Sequence, residues 1–454
     1  MSSPVRWAAA LLVSLAAVLG SPVPVAWAAK DGTPVDTAAD RALVIGVPGL
    51  TWADVDPAAT PELWDLADES AIGAVSVRAA RSTTCLLDGW ASLGAGNRAR
   101  VPGPDEGVPP VPLPTLPDLP AEPTPAPTGA DGTTEPELDT SLAHCGLQER
   151  SATLSLNDPV AVVERTAAEE GTARFGAEPG ALGAAIGCAT VSTRAATLAV
   201  AAPGVEITRP DPFPTGTEEL AGLLAGCPLA LVSLDELTEA GEPGPRKTED
   251  GTEPELRAAA LTEIDAGVGR LRDAVARLPG ETLLLLTGIS EVNDGRSQLH
   301  VGMVSGPGFA APAWLTSAST GRAPFAQLID VAPTVLRALG QAVPPSMNGQ
   351  PLRPAGQRPE LRAAVTELDR INTAATVHHR NVGAFFWVLV VLSAAVVVLG
   401  MVVLGGWQRR PSAAAPGPRA RGLLRLLALV AAAVPVATYL AGLFPWERTS
   451  MPVP

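Results

Sequence analysis

From Ala384 to Leu404 the chain carries 21 consecutive residues without a charge, matching the ~20 apolar residues that one helical crossing of a bilayer core requires. No other feature restricts the fold so strongly, because a segment in lipid must satisfy its own backbone hydrogen bonds and is therefore helical. Arg409, Arg410, Arg419, Arg421 and Arg425 follow with no acid among them, and Leu426 to Phe444, with Pro435 inside it, forms a second apolar stretch. An excess of arginine marks the cytoplasmic side. The expected topology is thus a C-terminal transmembrane helical hairpin, with one helix over 384–406, a cytoplasmic Arg-rich loop over 407–425 and a second helix over 426–446. Residues 29–383 would then lie on the extracytoplasmic face of a cell membrane.

The N-terminus agrees with export. Arg6 precedes an apolar run from Trp7 to Leu19, then Pro22, Pro24 and Ala26-Trp27-Ala28, the order of charge, short apolar core and small-x-small site of a signal peptide over 1–28. Four cysteines, Cys85, Cys145, Cys188 and Cys227, all fall in the exported part. An even count in an oxidising compartment favours two disulfides. Three connectivities are open, and the sequential pairing, Cys85 with Cys145 and Cys188 with Cys227, is expected because each bridge closes a local region. No Cys-x-x-Cys or Cys/His spacing suggests a metal instead.

Charge excludes one class of partner. With 47 acids against 32 basic residues the net charge is -15, and nucleic acid demands clustered Lys and Arg. Twelve prolines fall between Pro102 and Pro136 without a Lys or Arg, so 101–140 reads as an extended acidic insertion that builds no core. Gly241 to Glu253 reads as a second loop.

Elsewhere short apolar runs alternate with helical patterns. Arg41 to Val47, Gly73 to Val77, Leu198 to Ala202, Leu229 to Ser233 and Thr282 to Thr287 predict strands; Pro61 to Ser70 and Thr217 to Leu224 predict helices. Leu261, Ile264, Val268, Leu271, Val275 and Leu278 step by three and four along one helix face. The alternation implies an α/β domain over 29–358 with a mostly parallel sheet between helices. Over 359–383, Leu361, Val365, Leu368 and Ile371 share a face, predicting a stalk helix that leads into the membrane.

Three segments resemble the alkaline-phosphatase superfamily, which includes sulfatases and nucleotide phosphodiesterases. Ala42-Leu-Val-Ile-Gly-Val-Pro-Gly-Leu50 with Thr60-Pro-Glu-Leu-Trp-Asp-Leu-Ala67 is similar to its opening strand and helix. Arg81-Ser-Thr-Thr-Cys-Leu-Leu-Asp-Gly-Trp90 with Gly94-Ala-Gly-Asn97 resembles the nucleophile segment. Gln327-Leu-Ile-Asp-Val-Ala-Pro-Thr-Val-Leu-Arg-Ala-Leu-Gly340 with Met347-Asn-Gly-Gln-Pro-Leu352 resembles the helix and loop near the end of the catalytic domain. The resemblance implies an alkaline-phosphatase-like fold and two divalent metals held by six Asp and His ligands. Pro48 stands where the first Asp is expected, and Ile289-Ser290 where an Asp-His pair is expected. Asp235 matches an Asp ligand, with Glu239 and Ala240 near the place of its His partner, and His300 resembles the last His ligand. Two matches of six cannot hold two metals in the family's way.

The resemblance puts Thr84, or Thr83 beside it, at the nucleophile position, with Arg78 and Arg81 near a helix N-terminus suited to an anion. Both threonines also suit plain helix capping. Cys85 lacks the Pro and Arg that follow the modified cysteine of sulfatases, so a disulfide is the better reading. His144, His378 and His379 read as solvent-facing, and Asp330 as structural. The expectation is a membrane-anchored, extracytoplasmic alkaline-phosphatase-like domain, catalytically degenerate, that binds, scaffolds or senses at the cell envelope, its partners the membrane and an anionic envelope ligand or envelope protein. One alternative is an active phosphoesterase or sulfatase with a metal site rebuilt from Asp235, Glu291, Asp294 and His300. Another is part of a longer, multi-span envelope transport or assembly protein.

Overall fold

A computed structural model of the chain describes residues 39–102, 145, 146, 148, 156–241, 250–293, 295–309, 311–409 and 418–441. The expected signal peptide, nearly all of the 101–140 insertion, His144, Asp294, and residues 242–249, 410–417 and 442–454 lie outside the described residues.

Among the described residues ten strands form one sheet: β1 (Arg41–Val47), β2 (Ala71–Ser76), β3 (Cys188–Val191), β4 (Glu206–Thr208), β5 (Leu229–Ser233), β6 (Thr282–Gly288), β7 (His300–Ser305), β8 (Ala313–Thr316), β9 (Phe325–Gln327) and β10 (Arg353–Gln357). Their order is β10-β8-β2-β7-β6-β1-β5-β3-β4, with β9 also paired to β2. The central strands β6, β1, β5 and β3 run parallel, while β7 is antiparallel to both β6 and β2. Near-continuous apolar runs dictate this, since a strand covered on both faces needs apolar side chains at odd and even positions alike. In β1, Ala42 and Val44 join Leu229, Leu231, Leu283 and Leu285 on one face. Leu43, Ile45 and Val47 join Ala230, Val232, Leu284 and Leu286 on the other.

The helices are α1 (Pro61–Glu69), α2 (Leu86–Ala95), α3 (Pro159–Ala168), α4 (Glu170–Phe175), α5 (Ala181–Ile186), α6 (Arg194–Thr197), α7 (Thr217–Leu224), α8 (Pro254–Val275), α9 (Val331–Ala338), α10 (Leu361–Arg409) and α11 (Pro418–Ala441). The first sheet face is covered by α2, α5, α6 and α9, and the second by α1, α7, α8 and the first turns of α10. In α8 the three-four stepping buries Ile264, Val268 and Leu271. Its buried Asp265 accepts the Glu62 and Leu63 amides at 3.3 and 2.8 Å, satisfying donors that every helix start leaves open.

Two expectations are corrected here. Leu198 to Ala202 is not a strand: it follows α6 as a buried turn and coil segment. Glycines let its backbone pack where a ladder would otherwise be needed, since a Cβ on Gly94 would meet the Ala199 oxygen at 2.0 Å and one on Gly183 the Val200 oxygen at 2.0 Å. The region expected as a stalk is instead docked on the domain. Leu361, Ala364, Val365 and Leu368 are buried in the second core, and Asn372 accepts the Leu299 amide at 2.7 Å while donating to Gln298 at 3.0 Å. The same helix continues without a break to Arg409, 49 residues in all.

Past the domain its side chains are bare, with Trp387 71% and Val402 67% exposed. Among the described residues this is the one helix long and apolar enough to cross a membrane, and α11 packs against it. Both disulfides join the sequential pairs, Cys85 with Cys145 and Cys188 with Cys227, and no described cysteine is free.

Candidate functional site

Parallel strands leave their loops at one edge, and α/β sheets bind ligands outside those carboxyl ends. Here β1 runs into Pro48-Gly49, β2 into Val77-Arg78, β5 into Leu234-Asp235 and β6 into Ile289-Ser290-Glu291. The antiparallel β7 starts at the same edge with His300, paired to Val75. The strand ends that carry these positions therefore share one edge of the sheet, although Leu50 and His300, for example, are 250 residues apart.

Two apolar side chains pack among these strand ends. Trp90 and Ile289, both fully buried, wedge between β1 and α2: a Cβ on Gly46 would lie 2.5 Å from each of them, and one on Gly89 would lie 2.3 Å from the Ile289 oxygen. The Trp90 indole Nε1 donates to the Ser233 hydroxyl at 3.1 Å, and that hydroxyl donates in turn to Asp235 Oδ1. Burial pushes the Asp235 carboxyl up to about 7, only partly offset by the Ser233 hydrogen bond.

His300 is equally committed. Its Nδ1 lies 3.1 Å from the Leu50 oxygen, and because a carbonyl only accepts, this nitrogen carries the proton. Nε2 sits 3.2 Å from Glu291 Oε1 without the alignment of a hydrogen bond, and the same oxygen accepts the Gln298 amide at 2.9 Å. The two divalent metals of the family do not fit this donor set. Three expected ligand positions are held by Pro48, Ile289 and Ser290, Asp235 and His300 are tied to protein partners, and no three His, Cys, Asp or Glu among the described residues are placed to share an ion.

Beside this plug lies a cavity of about 240 Å³, lined by Arg78, Ser82, Thr84, Glu291, Leu299 and His379 among others. Arg78 is exposed there. Arg81 is not a second anion ligand: its Nε pairs with the buried Asp88 at 2.9 Å and its Nη2 donates to the Val101 oxygen at 2.6 Å. Asp88 also accepts the Val101 and Cys85 amides at 2.7 and 3.3 Å, which turns the arginine inward to hold the start of α2. Burial nonetheless raises the Asp88 pKa, against the lowering effect of Arg81.

Thr84 is buried at the cavity wall, with its hydroxyl accepting the Ala79 amide at 2.8 Å and its carbonyl accepting the Glu291 amide at 2.9 Å. Thr83 is half-buried beside it. Asp235 does not line this cavity. Cys85 is spent in its disulfide. His378 and His379 are exposed as expected, though His379 reaches the cavity rim. Asp330 holds loops together, accepting the Ser317 and Ser319 hydroxyls at 2.6 Å each and the Gln327 and Gln350 amides at 2.9 Å each.

One element of the site has no signature in the sequence. Arg257 of α8 reaches under the loop after β1, binding Asp54 through Nε at 2.9 Å and Nη2 at 2.6 Å, the Gly49 oxygen at 2.9 Å and the Thr252 hydroxyl at 3.1 Å. Asp54 also accepts the Thr51 amide and hydroxyl at 2.8 and 2.9 Å. The partners are 203 positions apart, so only the folded geometry reveals this buried pair.

Solved structures of the alkaline-phosphatase superfamily are similar to this chain. A superfamily member from Vibrio parahaemolyticus shares 10% identity over 69% of each chain, with a TM-score of 0.36. A 2-O GAG sulfatase shares 12% over 69% of this chain and 73% of its own, with a TM-score of 0.37. Murine ectonucleotide pyrophosphatase/phosphodiesterase 5 shares 10% over 68% of this chain and 97% of its own, with a TM-score of 0.35. At such TM-scores the likeness assigns no role to any residue. No family model and no curated protein matches the sequence.

Proposed function

We propose that this chain is a membrane-anchored, extracytoplasmic domain that binds an anionic ligand at the cell envelope and does not hydrolyse esters. The observation that carries the reading is the apolar wedge of Trp90 and Ile289 where the strand ends meet. Transfer of a phosphoryl or sulfuryl group needs charge stabilisation at that point, worth several kcal/mol when metals supply it. The side chains of Trp90 and Ile289 supply none, and each ~1.4 kcal/mol withheld slows the step about tenfold. The exposed Arg78 guanidinium at the cavity needs no metal to attract a phosphate or sulfate. Export and anchoring are supported by the two disulfides and the bare apolar helix.

The full chain, purified in detergent and supplied in turn with Zn, Mg, Mn and Ca, should leave aryl phosphates, phosphodiesters and aryl sulfates at background hydrolysis rates. Its metal content by elemental analysis should be below one ion per chain. Turnover that disappears on chelation and in Thr84→Ala would replace this reading with that of a hydrolase built on a rearranged site.

A further inference from the structure

The helix that leaves the domain narrows what the cavity can bind. Ala375 and His379, one turn apart on α10, form part of its wall. Five residues beyond His379 the uncharged run begins at Ala384, a distance of at most ~7.5 Å at the ~1.5 Å rise of a helix. The headgroup layer on each side of a bilayer is about 5–7 Å deep, from a ~30 Å core within a total of ~40–45 Å. A continuous helix therefore sets the cavity at headgroup depth, provided that this run is the one in lipid.

The walls are of two kinds. Val77, Leu299 and Ala375 are apolar, whereas Arg78, Ser82 and His379 are polar and exposed. Its volume of about 240 Å³ is below the ~300–1,000 Å³ of sites that enclose a whole small molecule. Only one end of a ligand enters, and the remainder stays outside, on the side of the membrane. Glu291 lines this space too, its carboxylate accepting the Gln298 amide at 2.9 Å beside His300, and Arg78 is the one arginine or lysine among the lining residues to attract an incoming anion.

We infer that the cavity takes the phosphate end of a membrane amphiphile, a phospholipid or another lipid-linked phosphate, drawn from the leaflet on the domain's side. Arg78 and the Ser82 hydroxyl meet the phosphate, and Leu299 and Ala375 meet the first methylenes of its chain. The inference rests on the anion-binding reading above and adds the class of ligand to it.

The test is calorimetric titration of the full chain in dodecyl maltoside with inorganic phosphate, dioctanoyl phosphatidic acid and dioctanoyl glycerol. Phosphatidic acid should bind at least about tenfold more tightly than phosphate, as two or so buried methylenes require, and dioctanoyl glycerol should not bind. Arg78→Ala should weaken both anions about tenfold or more. Leu299→Ser should weaken only the lipid, and Ala375→Trp should block both by filling the space. Arg78 and Ser82 are exposed, so circular dichroism of the Arg78→Ala chain should be unchanged. Equal affinity for phosphate and phosphatidic acid, with no effect of Leu299→Ser, would overturn the lipid assignment and leave the anion-binding reading standing. Binding of either anion that Arg78→Ala does not alter would overturn both. Phosphatidic acid binding lost in Arg421→Ala instead would place the lipid at the start of α11 and overturn the inference.

Discussion

Replacing Arg257 by Met tests whether the Arg257–Asp54 pair holds the floor of the site. The two side chains are 10% and 7% exposed, so water does not screen the change. Burial alone would lower the Arg257 pKa, but Asp54 and then Asp250 outweigh it and the net direction is upward, so the guanidinium stays charged. Without it, Asp54 would keep the Thr51 amide and hydroxyl and lose its counter-charge. Leaving one partner of a buried pair uncompensated costs about 3–5 kcal/mol. The loop would also lose the Gly49 anchor, one residue before the carbonyl of Leu50 that positions His300.

Urea unfolding of the full chain in micelles, followed by tryptophan fluorescence, reads this directly because Trp52 stands within the loop and is 1% exposed. Arg257→Met should lower the unfolding free energy by about 3–5 kcal/mol. Adding Asp54→Asn should recover part of it, with a coupling of about 2 kcal/mol between the two sites. A single-variant cost below ~1 kcal/mol, the range of exposed pairs, or a double variant as costly as the sum of the singles, would refute the reasoning.

Three further outcomes follow from the structure. Because burial raises the Asp235 pKa from 3.8 to about 7, the folded state holds this proton longer than the unfolded state. Its stabilising contribution is full below pH 3.8 and is lost as pH rises through 7, so Asp235→Asn should flatten urea stability between pH 4 and 7. Replacing Cys188 and Cys227 by Ala opens a loop with a separation of 39 and should cost about 4 kcal/mol by chain entropy, read by the same unfolding assay. Reporter fusions should be active inside the cell at Gly417 and outside at Gly356, and reversed signals would invert the topology.

Much of the fold was legible in the chain because its signals are local. The apolar runs of β1, β5 and β6, the Pro61 helix start and the three-four stepping of α8 follow from what a few neighbouring side chains can bury. The Leu198 to Ala202 run misled because a continuous apolar stretch does not distinguish a strand from a buried turn, and the glycines that admit the turn lie in other elements. The docked part of α10 misled for a similar reason: its apolar face has the right spacing, but the surface that receives it is made by β2, α1 and the loop at Trp52.

By itself the sequence determined the long uncharged run, the α/β alternation, the even count of cysteines, and the absence of Asp at 48 and of Asp-His at 289–290. Each is a matter of which residues occur, or of spacing within a few turns. Tertiary structure alone decided that Arg81 faces Asp88 while Arg78 faces the cavity, that Trp90 and Ile289 fill the place where the strand ends meet, and that Arg257 ties the loop after β1. Orientation and desolvation arise only when the segments are packed together, in the case of Arg257 with partners 203 and 208 positions away, and no local pattern in the chain encodes which charge will then be buried and which left in water.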